Sequence, residues 1–230
     1  MSDPANAPMP TDGRSHQAPT RPGSAGVMGG TFDPIHLGHL AVAEEAREAL
    51  GLETILFVPA GLPPHKLEGA AASAEDRVTM VRLAIAGNPA FELSRVDVDR
   101  PGPSYTADTI ALLGDARLGT GVEPDLTLIM STETLAGLPS WHQPLRLVRQ
   151  CRIAVVPREG HAAPSDAWLT EHFPGLEHRF DLLAGPRLGI SSTAIRDRVA
   201  SGRSIRYLVP EAVERHIADH HLYARANRAD

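Results

Sequence analysis

Residues 29–39 read Gly-Gly-Thr-Phe-Asp-Pro-Ile-His-Leu-Gly-His. A short apolar lead-in, Gly26-Val27-Met28, precedes them, and a helical pattern through Ala41, Val42, Ala43 and Leu50 follows. A strand, a glycine turn and a helix therefore meet here. His36 and His39 open the helix, and residues at that spacing share a helix face. The first helical turn also presents free backbone N–H groups and the positive end of the dipole. Two imidazoles above that end make a receptor for a polyphosphate. Gly38, between them, has no Cβ to block a close approach. The competing reading is a plain junction with two surface histidines.

Outward from this junction the chain alternates. The pattern predicts a helix over 36–50 stopped by Gly51, a buried strand over 54–58 and a helix over 74–86 with Val78, Val81, Leu83 and Ile85 apolar. One or two short strands are expected within 91–98, a helix near 105–114, a buried strand at 126–130, a short helix at 145–150 and a strand at 152–156. Within 160–188 a helix near 165–172 and a strand near 178–183 are expected, and helices at 191–201 and 210–221 close the chain. Short strands alternating with helices imply βαβ units. The expected fold is α/β, a Rossmann-like doubly wound parallel sheet in a single domain with C-terminal helices. Ligands on such sheets bind at the carboxyl ends of the strands, where residues 29–39 lie.

Residues 1–24 are rich in Pro, Ala, Ser, Gly and Asp and read as a disordered tail, with the domain over 25–224 and a short tail over 225–230. A net charge of −6 argues against a general nucleic-acid binder. The single cysteine, Cys151, precludes an internal disulfide and reads as core or strand edge. No signal peptide and no long apolar run is evident, so a cytoplasmic protein without membrane contact is expected. The oligomeric state, a homo-oligomer included, is left open. Among the basic residues there are twenty-one arginines and one lysine, Lys66. A lysine surviving in such a composition suggests a site that wants a compact, mobile ammonium.

Four further groups fall near strand ends or helix starts. Pro63-Pro64-His65-Lys66 follows the second strand. Ser104-Tyr105-Thr106-Ala107-Asp108-Thr109 begins a helix and reads equally as a capping sequence. Ser131-Thr132-Glu133 follows the strand at 126–130, and Trp141 comes soon after, either as a packing anchor or as a flat ring for stacking. Gly189-Ile190-Ser191-Ser192-Thr193-Ala194-Ile195-Arg196 caps a new helix with hydroxyls and puts Arg196 one turn in, an arrangement that is either an N-cap or a second anion site. No metal-ligand cluster and no P-loop pattern is present, so no protein-held metal is expected.

The first stretch resembles the nucleotidylyltransferase superfamily, which carries Gly-x-Phe-Asp-x-x-His-x-Gly-His after its first strand. The later segments are similar to those of bacterial nicotinate-nucleotide adenylyltransferases: Pro-Pro-His-Lys, Gly-Pro-Ser-Tyr-Thr-x-Asp-Thr, Trp141-His142, Ile-Ser-Ser-Thr-x-Ile-Arg and the run 202–210. The resemblance spans about 26–223. It implies adenylyl transfer from ATP, accompanied by Mg²⁺ carried on its phosphates, to nicotinate mononucleotide. It assigns ATP binding to Gly29, Gly30, Thr31, Phe32, His36, His39, Ile190, Ser191, Ser192, Thr193 and Arg196, and mononucleotide binding to Thr106, Glu133, Trp141 and Lys66. Catalysis would rest on His36, His39, Lys66 and Arg196 as the positive groups that meet the phosphates. Ser131 and Glu133 depart from the family's Gly-x-Asp, which bears on mononucleotide affinity and on acid-versus-amide preference. Nicotinamide mononucleotide is the nearest rival acceptor, and a nucleotide-binding module without turnover is the alternative from another class.

Overall fold

The computed structural model describes residues 18–63 and 70–224. Its strands are β1 (Arg21–Gly30), β2 (Leu52–Pro59), β3 (Phe91–Leu93), β4 (Asp125–Ser131), β5 (Arg152–Val156) and β6 (Phe180–Leu182). They form one sheet in the order β3-β2-β1-β4-β5-β6, every pairing parallel. From β1 the chain winds outward to β2 and β3, then returns past β1 and winds the other way through β4, β5 and β6. This is the doubly wound Rossmann order, with its switch point between β1 and β4. The helices are α1 (Leu37–Leu50), α2 (Ala74–Ile85), α3 (Thr106–Leu118), α4 (Thr132–Gly137), α5 (Pro144–Gln150), α6 (Asp166–His172), α7 (Ser192–Ala200) and α8 (Glu211–Asp219).

Both faces of the sheet are covered, which is why its strands read as unbroken apolar runs. Successive residues of β2 point to opposite faces. Ile55 and Phe57 pack with Ala43 of α1, Met80 of α2, Ile195 of α7 and Val213 of α8, whereas Leu56 and Val58 pack with Ile110 of α3 and Leu147 of α5. Gly26 sits at the centre of this packing. A Cβ there would come within 2.5 Å of Ile55 Cδ1 and 2.9 Å of Ile129 Cδ1. Cys151 is 2% exposed, and burial pushes its thiol up to about 12, so it is a core residue.

The sequence pattern and the structure differ in four places. β1 begins at Arg21, so residues 21–24, expected in the N-terminal tail, belong to the sheet. Ser24 is fully buried and its hydroxyl ties β1 to the Glu53 amide, a role that a Pro/Gly/Ser composition hides. α3 runs on to Leu118 rather than ending near 114. Leu83 of α2 is 36% exposed, and Met80 takes the core position instead. α4 follows β4 directly and was not anticipated: six residues are too few to show a helical period. The expected tail segments 1–17 and 225–230 lie outside the described residues, as does Lys66 with its neighbours 64–69.

Candidate active site

A cavity of about 520 Å³ opens at the carboxyl ends of β1, β4 and β5. Its first wall is the loop after β1. Gly29 faces open space, whereas a Cβ on Gly30 would meet the Phe32 ring at 3.3 Å. Phe32 is 2% exposed and stands beneath His39, edge-on, with ring centroids 5.1 Å apart. It supports the wall without being part of it.

His36 is not in the first helical turn but is the N-cap of α1, with extended backbone (φ −146°, ψ 169°). Its N–H donates to Nδ1 of His39 at 3.2 Å, and the two rings stack with centroids 3.7 Å apart. A Cβ on Gly38 would lie 3.0 Å from His36 Nδ1, so the glycine makes room for the His36 ring itself. Because Nδ1 of His39 accepts, its proton sits on Nε2. Burial, then the Arg158 guanidinium, pushes the His36 imidazole down to about 4. Burial, then His36, then Arg158, hold His39 well below the usual histidine range. In the unliganded protein both imidazoles are therefore neutral near pH 7, not positive as expected from the sequence.

The second wall is the start of α7. Ser191 is its N-cap and accepts from the Ala194 amide at 3.2 Å. Ser192 donates to the Pro34 carbonyl at 2.9 Å. Arg196 donates through Nη1 to the Asp33 carbonyl at 2.7 Å and through Nη2 to Thr193 Oγ1 at 3.3 Å. α7 is thus stapled to the loop after β1. Ile190, Ser191 and Ser192 line the cavity, while Thr193 and Arg196 stand outside its wall.

The opposite side is built by α3, α4 and the turn after α4. Thr106 opens α3 behind Tyr105, which is its N-cap without a side-chain cap bond. Thr109 donates to the buried Asp97 carboxylate at 2.8 Å. Ser131 caps α4 by accepting from the Thr134 amide at 3.1 Å, and its φ of −85° needs no glycine. Glu133 is therefore a first-turn helical residue rather than a loop residue. Thr106, Glu133 and Trp141 all line the cavity, and His142 stacks on Tyr105 with centroids 4.4 Å apart.

Two arginines were not singled out from the sequence. Arg158 follows β5, lines the cavity and places Nε 3.5 Å from Glu133 Oε2. Its position two residues past a buried strand is the same signal that pointed to Lys66. Arg77 is 1% exposed and donates to the carbonyls of Thr31 (2.8 Å) and Ala60 (2.7 Å), bracing the ends of β1 and β2 from behind. An arginine one turn into a helix carries no sequence mark of such burial. Lys66 lies outside the described residues, but Pro63, three residues earlier, lines the cavity. Among the described residues no group of three or more His, Cys, Asp or Glu could hold a metal ion, and no helix is long and apolar enough to cross a membrane.

A sequence model of the cytidylyltransferase-like family matches residues 27–198. A probable nicotinate-nucleotide adenylyltransferase of Roseiflexus sp. (strain RS-1) is 51% identical over 198 residues, 86% of this chain and 96% of the relative. One of the same description from Dehalococcoides mccartyi is 42% identical over 200 residues, 87% of this chain and 97% of its own length. Among solved structures, a Plasmodium falciparum nicotinic acid mononucleotide adenylyltransferase complexed with NaAD superposes with a TM-score of 0.70 at 17% identity, covering 87% of this chain and 97% of that one. That likeness is one of fold. Taken with the identity to the curated relatives across nearly their whole length, these matches make the chain a member of the cytidylyltransferase-like family and, within it, of the nicotinate-nucleotide adenylyltransferases.

Proposed function

We propose that the chain transfers the adenylyl group of ATP to nicotinate mononucleotide, releasing nicotinate adenine dinucleotide and pyrophosphate in NAD biosynthesis. The observation that carries this reading is a single cavity at the sheet's switch point. Two helix starts with stacked histidine donors stand on one side of it, and Trp141 with the Tyr105–His142 stack stands on the other. One side suits a triphosphate and the other a flat pyridine.

In the reaction a phosphate oxygen of the mononucleotide attacks the α-phosphorus of ATP, and the bond to pyrophosphate breaks. A phosphomonoester has its second pKa near about 6, so the nucleophile is largely dianionic at neutral pH and needs no general base. Catalysis then consists of positioning and of stabilising charge on the departing β- and γ-phosphates. We assign that task to His36 and His39 as neutral N–H donors, with Lys66 and Arg158 as the cations. Arg196 acts by holding the Asp33 carbonyl. Ser191, Ser192 and the amides of Gly29 to Thr31 complete the phosphate side, and Thr106, Glu133 and Trp141 receive the mononucleotide. The oxygens offered on the phosphate side are hydroxyls and carbonyls rather than paired carboxylates. Mg²⁺ therefore enters as part of the substrate MgATP, held by phosphate oxygens and water.

Pyrophosphate release with MgATP, comparing nicotinate with nicotinamide mononucleotide, tests the proposal. A preference of about tenfold or more for the acid, about 1.4 kcal/mol, is expected. Equal use of both acceptors makes the enzyme dual-specific, and release with neither overturns the reading.

A further inference from the structure

Beyond α8 the chain turns back toward the loop after β1. His221 and Tyr223 both adopt left-handed backbone, with φ of 52° and 63°. Such angles are uncommon for residues with a side chain and are held only where the surroundings require them. Their effect here is to turn the Tyr223 ring inward, against the apolar core. The Tyr223 hydroxyl then donates to Asp33 Oδ1 at 2.8 Å.

Asp33 is 2% exposed and lies between Gly30 and His36 in the loop that supplies the first wall of the cavity. A buried carboxylate is stable only when its oxygens are supplied with donors. Those donors come from far along the chain. The Ala71 amide donates to Oδ2 at 2.8 Å, the Ala72 amide to Oδ1 at 3.1 Å, and Tyr223 to Oδ1 as well. The carbonyl of the same residue accepts from Arg196, and the nearby Thr31 carbonyl accepts from Arg77. The loop is therefore held from behind by α2, α7 and the chain's last described turn, with its other side toward the cavity.

We propose that Tyr223 is a positioning residue for adenylyl transfer. Its hydroxyl fixes Asp33, and through Asp33 the loop that presents His36 and His39 to the triphosphate. This inference rests on the function proposed above, and its test separates the two. Tyr223→Phe removes one oxygen and keeps the ring in the core. Tyr207→Phe is the control, since Tyr207 is 82% exposed and stands outside the site.

On the full-length chain, Tyr223→Phe should lower kcat about tenfold, the scale of one misplaced hydrogen bond, with KM for ATP within about threefold of wild type. Amide hydrogen exchange at Ala71 and Ala72 should quicken, because the carboxylate they share is no longer fixed. Tyr207→Phe should change neither quantity. A lowered melting temperature with unchanged kcat would reduce Tyr223 to a stability element and overturn the proposal. Unchanged exchange at Ala71 and Ala72 would overturn the clasp itself. If wild-type protein releases no pyrophosphate from MgATP and nicotinate mononucleotide, the proposed function fails, and the exchange measurement still decides whether the clasp exists.

Discussion

On the side of the cavity formed by α1 and α7, side chains are tied down by short hydrogen bonds that cross the chain. Arg196 reaches Asp33 at 2.7 Å and Ser192 reaches Pro34 at 2.9 Å, and a local bond from the His36 amide to His39 at 3.2 Å joins the two histidines. On the side formed by α3 and α4, short bonds such as Thr109 to Asp97 at 2.8 Å brace the helices from behind, while the side chains that face the cavity meet each other by stacking or by an exposed ion pair. Tyr105 and His142 stack at 4.4 Å, and Arg158 stands 3.5 Å from a Glu133 side chain that is 55% exposed. The contrast follows the chemistry proposed for each side. Donors that meet developing charge are effective only when fixed before the reaction, so their geometry is set by buried bonds. A pyridine ring is bound by area and stacking, which tolerate small movements.

The largest effect is expected where the rigid side is cut. His39→Ala removes the Nε2 donor and the partner of the His36 amide together, and should lower kcat by roughly 10²–10³, about 3–4 kcal/mol. Unchanged turnover would break the comparison at its strongest point.

The neutrality of the histidines gives the next effect, in stability. His36 titrates near 4 in the folded protein against an ordinary 6.5. The unfolded chain therefore binds the proton more readily, and the stabilisation is full above pH 6.5 and is lost as pH falls toward 4. From pH 6.5 to 5 this one group should cost about 2 kcal/mol. Denaturant unfolding of wild type and His36→Gln across that range isolates it. Parallel pH profiles for the two proteins would show that His36 is not held neutral.

Trp141→Ala tests the stacking side. It should raise KM for nicotinate mononucleotide about tenfold, in line with roughly 1–3 kcal/mol for an aromatic ring stacked on a base, and leave KM for ATP near its wild-type value. Equal changes in both constants would mean that the two sides are not independent. The smallest effect belongs to Glu133→Gln. An exposed pair at 3.5 Å contributes little, and thermal unfolding should show a change within about 0.5 kcal/mol. A larger loss would place the Glu133–Arg158 pair with the rigid side instead.

Much of this arrangement is legible along the chain, because part of it is local. Gly29 to His39 marks a strand, a turn and a helix start within eleven residues, and Ile190 to Thr193 marks a helix cap. The apolar runs of β2, β4 and β5 announce strands buried on both faces. Arg77 and Tyr223 escape a reading of the sequence for the converse reason. Each is an ordinary residue type at an ordinary position, and its role comes from partners distant in sequence. Asp33 and Tyr223 are 190 positions apart, and Asp33 and Arg196 are 163 apart. Ser131 looked like a loss against the family pattern, yet its backbone needs no glycine and its hydroxyl caps α4.

The sequence by itself determined the alternation of strands and helices, the parallel sheet that alternation requires, and the two helix starts that border the cavity. Periodicity, caps and turns are short-range properties, written within a few neighbouring residues. Only the tertiary structure decided that the two helix starts are stapled together and that Arg196 donates to the Asp33 carbonyl. It also decided that burial and the Arg158 guanidinium hold the paired histidines below the usual histidine range in the unliganded protein. Those outcomes depend on burial and on contacts between distant segments, and the energy of a charge or a hydrogen bond is set by the medium and partners that folding supplies.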